Sequence, residues 1–328
     1  MRVATSTLLL LTLTTITQAE DIELGLPIAC EIGKTCWVQN YVDHDPSAAV
    51  KDYSCGGQTY DGHDGTDIRV LNAISQANVI ASAVGIVRGL RDGVADNLMR
   101  TEADRAAVQN RECGNGVVID HAGGWQTQYC HMRRGSVTVK TGDKVEAGTK
   151  LGEVGYSGMA AFPHVHLTIR KDGKALDPFG GKADGGENCG APVNPLWNSS
   201  VAAALDYQEG QVIQSGFNPA PVELASLENG TLPKQNPDAK WPALVAYAWA
   251  INLAEGDEVT MSLQGPNGIE ATNTVTLDRN KAVYMLFAGK KQPAGGWPPG
   301  EYVGSIKVVS AANDNAAKFV REWRAKIE

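Results

Sequence analysis

Histidine is scarce in this chain of 328 residues: six are present against 36 glycines, and none lies after residue 166. Chemistry that needs imidazole is therefore confined to the first half. Long apolar runs are missing beyond residue 19, so no later segment is expected to span a bilayer as a helix. Positive charge is short as well. Lys and Arg number 29 against 37 Asp and Glu, and the net charge of −8 argues against non-specific nucleic-acid binding. It also supplies no attraction toward anionic polymers. Aromatic residues make up 6% of the chain while glycine is abundant, which favours turns and β-structure over long helices. No Cys-x-x-Cys pair occurs, so the six cysteines lack a common spacing for zinc ligation.

What is present begins with a targeting pattern. Arg2, an apolar run from Leu8 to Ile16 and a small-residue site at Thr17-Gln18-Ala19 read as a signal peptide over residues 1–19. The mature chain is expected to be exported, periplasmic or secreted, with no membrane span once the signal is removed. An even cysteine count in an exported chain suggests disulfides. Cys113 and Cys130 flank two short strands joined by the turn His121-Ala122-Gly123-Gly124, so folding the hairpin brings them opposite each other. Cys36 with Cys55 and Cys30 with Cys189 are the remaining working pairs, which spacing does not choose.

The expected organisation is all-β in the main. Residues 20–60, without clear periodicity and holding three cysteines, read as a disulfide-tied arm. Residues 61–180 carry short apolar runs broken by glycine, the pattern of an antiparallel sheet with tight turns. Leu98 to Val108 reads as a partly helical excursion between two strands. Residues 181–203, with Gly185-Gly186, Pro192 and Pro195, read as a linker. From 204 to 328, strands are expected at Leu244–Leu253, Glu258–Leu263, Asn273–Leu277, Ala282–Phe287 and Tyr302–Val309. These suggest an immunoglobulin-like β-sandwich, closed by a strand or short helix over Phe319–Ile327.

Four of the six histidines fall into three short motifs. Val165–Ile169 is rich in β-branched and apolar residues, so His164 and His166, two apart, project from one face of a strand. Upstream, His63 and Asp67 form His-x-x-x-Asp with Gly65 between them, at the mouth of an expected strand. His131 lies in Tyr129-Cys130-His131-Met132, at the end of a strand expected to pair with Gly116–Asp120. His44, before Pro46, either lines a nearby cleft or sits in a surface turn.

This ordered set resembles the lysostaphin-like, or LytM-type, zinc endopeptidases over about residues 58–175, including the approach Gly152–Gly158 and the proline before the histidine pair. The resemblance implies one Zn2+ per chain on His63, Asp67 and His166, with His131 and His164 as catalytic histidines. It also implies a groove above the metal, and hydrolysis of peptide bonds in peptidoglycan cross-links or stem peptides. Three protein ligands leave a fourth position for water, which marks a catalytic rather than a structural zinc. The family's usual Phe-Glu after the histidine pair is Leu167-Thr168 here, and its Ser/Thr-Gly-Pro is replaced by Ala160-Ala161-Phe162-Pro163. These departures are expected to line the groove rather than touch ligands. Competing expectations are a non-catalytic regulator or scaffold of envelope assembly, and a wall-binding adhesion factor that carries a peptidase. The oligomeric state is not legible.

Overall fold

The computed structural model describes residues 22–180, 190, 195–310 and 316–328. The signal peptide expected at 1–19, Cys189 and most of 181–194 lie outside these residues.

The first unit contains β1 (Cys36–Asn40), β2 (Thr66–Val70), β3 (Asn78–Ile80), β4 (Gly85–Arg91), β5 (Asn115–Asp120), β6 (Trp125–Met132), β7 (Lys144–Val145), β8 (Lys150–Glu153), β9 (His164–Lys171) and β10 (Lys174–Leu176). Its main sheet runs β1-β2-β9-β6-β5-β4-β7, with β10 on β9 and with β3–β8 as a separate pair. The pairings between these strands are antiparallel. Alternation along β9 explains the sheet's two faces. Val165, Leu167 and Ile169 enter a core with Ile68, Val117, Ile119 and Tyr129. His164, His166, Thr168 and Arg170 occupy the opposite face.

The β5–β6 hairpin turns at Gly123 and Gly124, with φ of 68° and 80°, and the expected Cys113–Cys130 disulfide closes it with Cα atoms 4.8 Å apart. The other two working pairs are corrected. Cys36 bonds Cys30, not Cys55, across Cα atoms 6.1 Å apart, so Cys30 does not pair with Cys189. A turn at Glu31–Thr35, with Gly33 at φ 80°, folds this stretch back on itself and brings the near neighbours together. Cys55 is also disulfide-bonded.

The segment expected as an arm supplies β1, the edge strand beside β2. Every residue of β1 is buried, so the alternation that marks a half-exposed strand is missing. The excursion contains α1 (Glu102–Ala107), a single exposed turn started by a Thr101–Asp104 capping box.

The remaining elements are α2 (Ser199–Ala204), β11 (Gln211–Asn218), α3 (Leu224–Glu228), β12 (Ala243–Leu253), β13 (Glu258–Gly265), β14 (Ile269–Thr276), β15 (Lys281–Lys291), β16 (Gly300–Val309) and β17 (Ala317–Ile327). Sheets β11-β12-β15 and β14-β13-β16-β17 pack over a common core. The closing segment is a strand. Of the stretch expected as a linker, Leu196, Trp197 and Val201 belong to the first unit's core.

Strand β12 is apolar on both sides. Leu244, Ala246, Ala248 and Ala250 enter the core between the two sheets. Tyr247, Trp249 and Ile251 form a third cluster with Trp37 of β1 and Leu227 of α3, which joins the two units. No helix among the described residues is long and apolar enough to cross a membrane.

Candidate metal centre

Register brings the expected residues together. Asp67 of β2 stands opposite His166 of β9, and His166 stands opposite Cys130, the residue before His131. His63 reaches the same point from the loop before β2. The ligand atoms of His63, Asp67 and His166 all lie within 4.8 Å of one another, and all three residues are buried.

Hydrogen bonds fix which ring atoms face inward. A carbonyl only accepts, so His63 Nδ1 donates to Tyr41 O at 2.6 Å and leaves the Nε2 lone pair toward the site. His166 Nε2 lies 3.4 Å from Asp64 Oδ1 and 2.9 Å from Thr168 Oγ1 on the outer side of the ring, and Nδ1 faces inward. Asn40 Nδ2 donates to Asp67 Oδ2 at 2.8 Å, which turns Oδ1 toward the histidines. Three electron-pair donors now converge: His63 Nε2 to His166 Nδ1 is 3.1 Å, His63 Nε2 to Asp67 Oδ1 is 3.2 Å, and His166 Nδ1 to Asp67 Oδ1 is 2.8 Å. Buried acceptors this close are compatible only with positive charge among them.

Electrostatics agree with that geometry. Burial alone would raise the Asp67 pKa, but the neighbouring histidines hold it well below the usual carboxylate range. Burial works against charge on His166, yet Asp64 and Asp67 outweigh it and raise its pKa to about 9. Two imidazoles and a carboxylate, each held by a second partner, are the donor set of a zinc site with an open position, and once His166 gives up its inward proton the residues fit that ion.

His131 and His164 stand beside the trio, their rings 4.6 Å apart, with His131 5.9 Å from the His166 ring. Each donates Nδ1–H to a backbone carbonyl, His131 to Ser157 O at 2.8 Å and His164 to Phe162 O at 2.7 Å. His164 Nε2 lies 3.5 Å from Asp67 Oδ1. Burial pushes both below the ordinary histidine pKa, His131 furthest, with His164 and His166 adding to the effect on His131. Both rings are thus neutral near pH 7, with Nε2 able to take a proton. His131 has a φ of 62°, in the left-handed region, which costs a non-glycine residue roughly 1–2 kcal/mol.

Gly65 forms a bend just before β2 and packs directly against the site. A Cβ there would stand 2.6 Å from His166 Nε2 and 2.8 Å from Leu167 O, so only glycine clears the ring. The departures expected to line the groove instead bear on the histidines. Thr168 touches His166, and Phe162 stacks on His164 at 4.3 Å while its carbonyl orients that ring. His44 is not among these residues; it pairs with Asp177 at 2.6 Å.

An antiparallel sheet that carries a buried His–Asp–His trio able to hold a cation, beside two further histidines, defines a domain with a candidate metal site. Residues 61–178 match peptidase family M23, and this domain belongs to that family. The peptidoglycan DD-endopeptidase ShyA of Vibrio cholerae is 32% identical over 80 residues, 24% of this chain and 18% of that protein. The DD-carboxypeptidase/endopeptidase Mpg of Neisseria meningitidis is 35% identical over 65 residues, 20% of this chain and 14% of that protein. The catalytic domain of the prophage-encoded M23 protein EnpA from Enterococcus faecalis aligns with TM-score 0.28 and 27% identity, over 36% of this chain and 77% of that one. The chain spans less than a fifth of the length of the curated relatives it matches first.

Proposed function

We propose that the chain is an exported zinc metalloendopeptidase that hydrolyses peptide bonds in peptidoglycan cross-links or stem peptides. The observation that carries this reading is the convergence of His63 Nε2, Asp67 Oδ1 and His166 Nδ1, three lone-pair donors whose other atoms are all engaged. The peptidoglycan substrate is supported by the names of the relatives ShyA and Mpg. Export is supported by the leader pattern at 1–19 and by the disulfides Cys30–Cys36 and Cys113–Cys130, which persist in oxidising compartments.

A zinc ion held by the trio supplies Lewis acidity toward a scissile carbonyl and toward water. The chain's own groups do the rest. His131 and His164, neutral and oriented through Nδ1, receive and return the proton at Nε2 and face the oxygen on which charge develops. Asn40 and the Tyr41 carbonyl keep Asp67 and His63 aimed, so the ligand cage is not rebuilt during turnover.

The test is digestion of purified sacculi, with mass analysis of the released fragments, for the parent chain and two variants. His166→Ala loses both zinc and hydrolysis. His131→Ala keeps its zinc and loses roughly 10²–10⁴-fold in turnover, the range for a general acid–base group. Cleavage by His131→Ala at the parent rate removes its assigned role. Stoichiometric zinc with no cleavage by the parent makes the protein a non-catalytic regulator instead.

A further inference from the structure

We propose that the C-terminal unit is a working part of the metal site, acting through Asn252, which pins a β-bulge that turns Asn40 onto Asp67. The inference rests on the metal-centre reading above and extends it to a residue of the C-terminal unit.

The bulge is visible in the register of β1 on β2. Val38 pairs with Ile68, but Asn40 pairs with Asp67, so Gln39 is an extra residue in the ladder. In a regular strand Val38 and Asn40 would share a face. Ile68 and Asp67, being consecutive, point to opposite faces. The extra residue therefore sends Val38 into the core and Asn40 to the side of Asp67, where Nδ2 holds Oδ2 at 2.8 Å. Without the bulge, no register gives both contacts.

Asn252, from β12, holds the bulge in place. Its Nδ2 donates to the backbone carbonyl of Gln39 at 3.0 Å and to Gln58 Oε1 at 2.9 Å, and its Oδ1 accepts from Gln39 Nε2 at 3.3 Å. Gln39 Nε2 also donates to Ala282 O of β15 at 2.6 Å. Gln58 in turn accepts the backbone N–H of Tyr41, whose own carbonyl orients His63. One buried side chain thus brackets the two residues that aim two of the three ligands. Asn252 has a φ of 58°, a conformation that asparagine tolerates better than most residues and that directs its amide at Gln39.

A second contact runs parallel. Arg69 of β2 is buried, donates to Gln39 Oε1 at 2.8 Å, and lies 4.9 Å over Trp249 of β12 and 5.1 Å over Phe162, the ring stacked on His164. The same strand of the C-terminal unit reaches both the ligand side and the His164 side.

Asn252 is a positioning residue, and its variant should be read first in zinc affinity. In the full chain, Asn252→Gly keeps the left-handed backbone but removes the amide. It should weaken zinc binding, measured by competition with a chromophoric chelator, by about tenfold. Asn252→Asp, which keeps the shape and loses the donated bonds, should do the same and covers failure of the glycine variant to fold. Leu227→Ala thins the same interface without touching Gln39. It should lower the melting temperature yet leave zinc affinity within about twofold of the parent. Parent-like zinc affinity in both Asn252 variants, or equal weakening by Leu227→Ala, overturns the proposal. His63→Ala separates the two readings: if it binds zinc as the parent does, the metal centre itself is misassigned, whatever Asn252 does.

Discussion

His44 shows how a single residue can tie distant segments and make stability depend on pH. Its Nε2 meets Asp177 at 2.6 Å, and that hydrogen bond raises the imidazole pKa above its ordinary 6.5, with burial opposing and Asp52 and Asp43 assisting. A raised folded-state pKa means that the protonated ring favours the native state. The contribution is complete below the unfolded-state value and is lost as pH rises through the folded value. His44→Gln should therefore cost most stability at about pH 5 and progressively less toward about pH 9, measured by denaturant titration against the parent. A gap that widens with rising pH would reverse the assigned cause. His44 was readable only as a cleft or turn residue, because its partner lies 133 positions away. Asn40 and the Tyr41 carbonyl were illegible for the same reason, whereas Thr168 and the Phe162 carbonyl lie two residues from the rings they contact and were illegible because nothing in their type marks the contact. A ligand motif shows in its residue types, whereas a residue that orients a ligand is often a backbone atom or an unremarkable side chain brought close by register.

Among the elements, β9 was the most legible. Its alternation put His164 and His166 on one face, and the sheet added Asp67 opposite His166. The β5–β6 hairpin was legible from its turn glycines and the Cys113–Cys130 closure. Strand β1 was not, because it is buried throughout and its bulge breaks the pattern that marks a strand. The hairpin disulfide also bears on chemistry. Cys130 precedes His131, and the His131 N–H donates to Cys113 O at 2.8 Å, so the cross-link holds both ends of the segment that keeps His131 at its positive φ. Replacing both Cys113 and Cys130 with alanine, across a separation of 17 residues, should cost about 3 kcal/mol in denaturant unfolding. It should also reduce turnover while zinc stays bound, since His63, Asp67 and His166 all lie outside that hairpin. Zinc loss equal to that of His166→Ala would instead place the hairpin within the ligand cage.

At the scale of the whole molecule, β12 belongs to two cores at once. The run Leu244–Leu253 reads as a strand from its composition, but an apolar run does not say what covers each face. Here one face closes the C-terminal core, and the other meets Trp37 and Leu227. Trp249 is fully buried at that junction and lies under the Arg69 guanidinium. Two units that share such a junction should unfold as one. Calorimetry of the full chain should give a single transition whose calorimetric and van't Hoff enthalpies agree. Trp249→Ala removes a large side chain at the junction and leaves the Arg69 charge without one of its two ring contacts. A cost of about 3–5 kcal/mol is the expectation for a buried aromatic, and the transition should divide in two as the units uncouple. The three residues proposed to hold zinc all lie in the first unit. Zinc should therefore raise the whole melting transition of the parent, by about 2.7 kcal/mol at a hundredfold excess over its dissociation constant, but only one of the two transitions in Trp249→Ala. Two resolved transitions in the parent, with only one responding to zinc, would show that the contact through β12 does not couple the units.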